Sequence, residues 1–191
     1  SVFHLHFHIL PRRKEDAFNI FPSLSKNTKS LEETCEIFKI KEDKKNITLF
    51  TDGACSGNPG MGGWGAILIY NGKEKELSGG EELTTNNRME LMAVIKGLEA
   101  IKEDCKVEIF SDSAYVVNAF LQDWITKWKH NGWKSSKGDV LNVDLWKRLC
   151  ELLEKHKVSW HKVKGHSDNE NNNRCDSLAR GEIEKLKNAS N

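Results

Sequence analysis

The sequence predicts an α/β fold, a mixed sheet covered by helices, with a small N-terminal appendage. Three observations carry that expectation. The segments ITLFTDGA, WGAILIY and KEKELSGGE read as strands close enough in sequence to form a meander. Helical and strand periodicities then alternate from Asn86 onward, the pattern of helices laid on a sheet. A lysine-rich KEDKK precedes all of this and reads as a linker after a polar, irregular stretch.

The opening SVFHLHFHIL reads as a strand. Alternation puts His4, His6 and His8 on one face and Phe3, Leu5, Phe7 and Ile9 on the other, a row suited to a metal or a phosphate. Pro11 and Pro22 break the segment that follows. SLEETCEIFKIKED reads as a short helix, with Ser30 as N-cap and Glu33 three residues later. The domain boundary falls at 43–46, dividing the chain into 1–45 and 46–191.

In the second part ITLFTDGA is a strand ending at Asp52, and SGNPGMGG reads as a glycine-rich turn. The next two strands join at NGK, a hairpin signal. NNRMELMAVIKGLEAI places Leu91, Val94, Ile95, Leu98 and Ile101 at helical spacing. KVEIFSD is a strand and SAYVVNAFL a helix. DVLNVDLWKRLCELLEKH contains a further helix with Trp146 in the core. KVSWHKVK is a strand, and NNRCDSLARGEIEKLK is the last helix.

With 191 residues, the chain suffices for one sizeable domain plus an appendage. A formal net charge of +1 argues for no polyanionic partner in bulk, so any nucleic-acid site must come from local clustering. No stretch approaches a membrane span and the N-terminus does not read as a leader, so the expected setting is the cytoplasm, with no membrane partner. Cys35, Cys55, Cys105, Cys150 and Cys175 show no C-x-x-C pair and no zinc spacing, and read as reduced thiols.

Each acid at an element end has an ordinary reading. Asp52 is a turn former in TDG, Glu90 the return half of a capping box begun at Asn87, Asp112 an N-cap, and Asp176 a first-turn carboxylate on the helix dipole. Strand ends and helix starts are also where side chains converge at one edge of an α/β sheet. Four carboxylates gathered there would repel one another and raise each other's pKa, a cost that divalent cations remove. Hard oxygen donors suit Mg2+ or Mn2+, and two such ions support in-line attack at a phosphate. His166, in VKGHSDNENNN, is by itself a solvated loop histidine. Lys127, Lys129, Lys134 and Lys137 fall in KWKHNGWKSSK, which carries no acid and interleaves Trp128 and Trp133. Such a run is a solvated face or a grip on a sugar–phosphate backbone.

TDGACSGNPGMGGWGA, TTNNRMELMAVIKGLEA, IFSDSAYV, WKHNGWK, NVDLW and VKGHSDNENNNRCDSLA together resemble type 1 ribonuclease H, from about Ile47 to Leu186. The resemblance implies a five-stranded mixed sheet with flanking helices, and cleavage of the RNA strand of an RNA–DNA hybrid. It assigns Asp52, Glu90, Asp112 and Asp176 to two Mg2+ ions, with Mn2+ as a possible substitute. Asp52 would bridge both ions, Glu90 and Asp112 complete one, and Asp176 hold the other. His166 would assist proton transfer or product release, which suits a group titrating near neutrality. The lysine run would be a basic protrusion, with Trp124 against the DNA strand. Asn58, Asn86 and Asn87 would lie near the hybrid, and Thr85 in a DNA phosphate pocket. Contacts of this kind read a 2′-hydroxyl and backbone geometry rather than base edges, so weak sequence preference follows. Two positions depart from the pattern: Ala114, where a longer amide is common, and Leu83, where an arginine often sits.

HLHFHIL followed by PRR is similar to the histidine triad nucleotide-binding proteins, Fhit-like in its proline and arginine. There the middle histidine, here His6, attacks an α-phosphate. Residues from Ser1 to about Ile40 match only the last part of such a domain, so a truncated or vestigial segment is expected rather than an independent nucleotide hydrolase.

Overall fold

The computed structural model describes residues 45–136, 138–164 and 169–190. The strand, helix and histidine row expected before Lys45, together with Lys137 and His166, lie outside the described residues.

The predicted meander forms from β1 (Asn46–Gly57), β2 (Gly60–Tyr70) and β3 (Lys73–Thr84), all antiparallel. Helix α1 (Asn86–Glu99) then leads to β4 (Lys106–Ser111), which runs parallel to β1. Two short helices follow, α2 (Ala114–Leu121) and α3 (Trp124–His130), then a two-stranded hairpin of β5 (Lys134–Ser135) and β6 (Gly138–Asp139). Helix α4 (Val143–Leu153), strand β7 (Lys157–Lys162) and helix α5 (Glu170–Ala189) complete the order. The main sheet runs β3-β2-β1-β4-β7, with β7 parallel to β4. It is the mixed sheet covered by helices that the sequence predicts, with the five strands that the resemblance implies.

Alternation along the strands divides the core between two faces. Leu49 of β1, Ala66 and Leu68 of β2 and Val107 and Ile109 of β4 join Leu91, Val94, Ile95 and Leu98 of α1 and Trp146 and Leu149 of α4. The intervening Phe50 and Ile67 pack instead with Cys175 and Leu178 of α5. Trp146 is fully buried, as expected, within about 6 Å of the rings of Tyr115, Phe120 and Trp128.

Several sequence readings need correction. β1 does not end at Asp52 but continues to Gly57, and the turn is only Asn58–Pro59. The glycines of SGNPGMGG belong to strands, and Gly63, like Gly65 after it, makes room for a helix. A Cβ on Gly63 would lie 2.1 Å from the Ala179 carbonyl oxygen, and one on Gly65 2.3 Å from that of Cys175. Glycine at alternate positions of β2 therefore lets α5 lie directly on the sheet. At NGK the hairpin is as expected, with positive φ at Asn71 (49°) and Gly72 (72°). Ile101 falls beyond α1 and is only half-buried. The lysine run spans a helix and a hairpin rather than one face, because α3 ends at His130 and Gly132 and Trp133 turn the chain at positive φ (62° and 63°) into β5. Trp128 and Trp133 are not exposed aromatics; both are partly buried against the main core.

Candidate active site

Three backbone features bring the four acids together. β1 and β4 are in register up to Thr51 and Ser111, so Asp52 and Asp112 follow side by side, Asp112 just past the end of β4. Gly53 follows Asp52, and a Cβ there would lie 2.3 Å from the Glu90 amide nitrogen. That approach seats α1 on β1 and puts Glu90 beside Asp52. Across β1, Asp52 pairs with Gly65, the residue that touches Cys175. Asp176, next in sequence, thereby arrives on the other side. Asp52, Glu90, Asp112 and Asp176 line one open pocket of about 480 Å³, with Asn86, Ser113, Asn172 and Arg180 among its walls.

None of the ordinary readings of these acids accounts for them. Thr85, not Asn87, caps α1: its hydroxyl accepts from the Arg88 amide at 3.4 Å, so Glu90 lies beyond the capping box. Glu90 instead accepts from the Ser113 hydroxyl at 2.6 Å and the Asn86 amide at 2.9 Å. Ser113, not Asp112, caps α2, accepting from the Val116 amide at 3.1 Å. α5 starts at Glu170 after the Asn169 cap, so Asp176 stands in its second turn rather than on the dipole. The Gly53 amide donates to Asp52 at 2.7 Å. Arg88 ties the start of α1 to α4 through two bonds to Asp144 at 3.2 and 3.1 Å, which steadies the helix that carries Glu90.

Burial, and then the Asp112 charge, push the Asp52 carboxyl up to about 7. Burial likewise raises Glu90, against the hydrogen bond from Ser113. Crowded, desolvated carboxylates of this kind favour a bound cation or a proton. The donor set fits hard divalent ions, with Asp52 central and Glu90, Asp112 and Asp176 around it. As the side chains stand, no three acidic, histidine or cysteine groups among the described residues close to ligating distance of one point.

This raised pKa has a consequence for stability in EDTA. Below about pH 4 the Asp52 carboxyl is protonated both folded and unfolded, and has no effect. As pH rises to about 7 the unfolded chain ionises first, so stability is progressively lost; above that the loss is constant. Asp52→Asn should therefore melt higher than wild type at pH 8, by no more than a few kcal/mol of stability, and the gap should close by about pH 4. Equal melting temperatures at both pH values would contradict the buried, crowded carboxyl.

The other predicted residues divide into two groups. Asn58 is exposed in the turn, and its side chain accepts from the Asn86 amide at 3.3 Å. Asn86 lines the acid pocket at the start of α1, with Asn87 next to it in sequence. Trp124, Lys127 and Lys134 line a separate groove with Tyr115 and Trp128. Lys129 is not part of that groove; it lies against the Cys150 thiol. Leu83 is 76% exposed, and Ala114 lies at the pocket wall. The sequence reading missed Ser113, Asn172 and Arg180. Arg180 was detectable, since it stands four residues after Asp176 on a helix, the spacing of an ion pair.

A family model described as RNase H matches residues 44–184. The chain belongs to the ribonuclease H family. It is 63% identical over 142 residues to a ribonuclease H of Acetivibrio thermocellus, covering 74% of this chain and 97% of that one. The solved structure of LC9-RNase H1, a type 1 enzyme with the type 2 active-site motif, is 29% identical with a TM-score of 0.68, over 75% of this chain and 74% of that chain. LC11-RNase H1, solved in complex with an RNA/DNA hybrid, shares the fold at 23% identity and a TM-score of 0.58, over 73% of this chain and 97% of that one. As a ribonuclease H, the chain is a hydrolase that degrades the RNA strand of RNA–DNA hybrids. The family depends on divalent metal. No helix among the described residues is long and apolar enough to cross a membrane.

Proposed function

We propose that the pocket bounded by Asp52, Glu90, Asp112 and Asp176 is where a ribonucleotide phosphodiester is hydrolysed, endonucleolytically and with little sequence preference. The observation that carries this is the convergence of four carboxylates from a strand, a strand end and two helices, with Asp52 pushed up to about 7. Two divalent cations bound there, Mg2+ or Mn2+ in its place, would activate a water and stabilise the charge that develops on the phosphate. Asp52 would hold both, Glu90 and Asp112 one, and Asp176 the other. Ser113 and Asn86 keep the Glu90 carboxylate oriented toward the pocket. His166 is assigned the proton transfer that accompanies departure of the leaving oxygen, or product release. Buried thiols at Cys105, Cys150 and Cys175 support a reducing, cytoplasmic setting. Cleavage of a labelled hybrid with and without EDTA is the direct test; undiminished cleavage in EDTA would refute it.

The hybrid itself is assigned to the surface running from Asn58, Thr85, Asn86 and Asn87 at the acids to the groove of Trp124, Lys127 and Lys134. Lys137 is assigned to the same grip from its place in the run. Lysines on phosphates and asparagines on 2′-hydroxyls would read backbone geometry rather than base edges, which supports weak sequence preference. Lys127→Ala with Lys134→Ala should weaken hybrid affinity and lower the slope of log K against log salt by about 2, since about one counterion is released per phosphate contact. Lys129→Ala should leave that slope unchanged, because Lys129 lies against Cys150. Filter-binding titrations at several salt concentrations decide it; equal effects from all three would reduce the run to general positive charge.

A further inference from the structure

We infer that Arg180 is a built-in counterion of the carboxylate pocket, and that it sets how tightly the Asp176 side of the pocket takes a divalent cation. The inference rests on the metal site proposed above. Arg180 follows Asp176 by one helical turn on α5, and its Nε lies 2.8 Å from both carboxylate oxygens of Asp176. Both residues line the pocket.

The four acids are not held alike. The two oxygens of Glu90 accept from neutral groups, the Ser113 hydroxyl and the Asn86 amide. Asp52 accepts from a backbone amide. Such donors orient a carboxylate without cancelling its charge. Asp176 is paired with a full positive charge, and the single Nε–H lies between its oxygens. A cation approaching Asp176 meets that guanidinium directly. Lys187, the other cation of the pocket wall among the described residues, is bonded to Glu184 at 2.8 Å, so its charge is balanced locally.

Exposure makes exchange feasible. The Arg180 side chain is 62% exposed while that of Asp176 is 24% exposed. The guanidinium therefore sits on the solvent side and can swing out without unpacking the helix. Without metal it offsets repulsion among carboxylates that burial has already made costly; with metal it gives way. The effect is bounded by what a partly exposed pair contributes, so it tunes affinity rather than creating it.

The test is calorimetric titration of the full chain with Mn2+ alone, no nucleic acid present, for wild type, Asp52→Asn, Arg180→Gln and Lys187→Gln. Arg180→Gln should tighten the weaker Mn2+ step by roughly two- to fivefold, while Lys187→Gln leaves it near wild type. In EDTA, Arg180→Gln should also melt below wild type, and saturating Mn2+ should erase that difference. Unchanged or weaker Mn2+ binding in Arg180→Gln, with wild-type binding lost in Asp52→Asn, would overturn this inference and leave the metal site standing. Equal tightening in Arg180→Gln and Lys187→Gln would overturn it too, since net charge would then suffice. Absence of Mn2+ binding in the wild type would remove both the inference and the proposed site.

Discussion

Asp52→Asn should reduce RNA cleavage on the order of a thousandfold or more while hybrid affinity stays within a few-fold of wild type. Asp52 stands where the geometry of the pocket meets: next to Asp112 in the parallel register, beside Glu90 through Gly53, and beside Asp176 through Gly65. An amide keeps the shape and the bond from the Gly53 amide but loses the charge that the other groups are arranged around. The groups assigned to hybrid binding lie on other elements, so binding survives. Single-turnover cleavage and equilibrium binding, measured on the same protein, separate the two effects. Cleavage within tenfold of wild type would exclude Asp52 as the shared ligand.

Gly53→Ala should be nearly as damaging, although alanine adds one methyl group. The added carbon would lie 2.3 Å from the Glu90 nitrogen and 2.4 Å from the Met89 carbonyl carbon, both backbone atoms that no rotamer can move aside. Either α1 shifts off β1 or β1 distorts. Overpacking of this kind costs about 1–3 kcal/mol. A displacement of about 1 Å at Glu90 should lower turnover roughly a hundredfold. Gly181→Ala is the matching control. It lies in α5, where an added Cβ meets nothing within 4 Å, so it should stabilise by about 0.4–1 kcal/mol. If close backbone approach is what builds the site, the melts of the two variants shift in opposite directions and only Gly53→Ala loses turnover. A Gly53→Ala protein with wild-type melting and turnover would show that α1 and β1 tolerate separation.

Much of this was legible in one dimension. Helical spacing of Leu91, Val94, Ile95 and Leu98 marks the buried face of α1, because a helix turns every 3.6 residues whatever surrounds it. NGK marks its hairpin because only residues tolerant of positive φ complete that turn. The six motifs in their order point to the family, and through it to the four acids. The lysine run was legible as charge but not as geometry. Nothing in KWKHNGWKSSK announces that Lys127 and Lys134 share a groove while Lys129 turns to Cys150, since exposed lysines carry no periodic signal.

By itself, then, the sequence determined the α/β class, the order of the main-sheet strands and the helices α1, α2, α4 and α5, and which acids to suspect, but not α3 or the β5–β6 hairpin. Only the tertiary structure decided that those acids meet. Whether Asp112 caps α2 or faces a pocket depends on Ser113 taking the cap, and whether Glu90 closes a capping box depends on Thr85 being the cap residue. Gly53 and Gly63 read as parts of turns, yet they are points where α1 and α5 touch the sheet backbone. The physical reason is the same in each case. Propensity and periodicity are properties of neighbours in the chain. A cluster of like charges is a property of neighbours in space, and it forms here because packing of two helices against glycine-bearing strands outweighs the repulsion among four carboxylates.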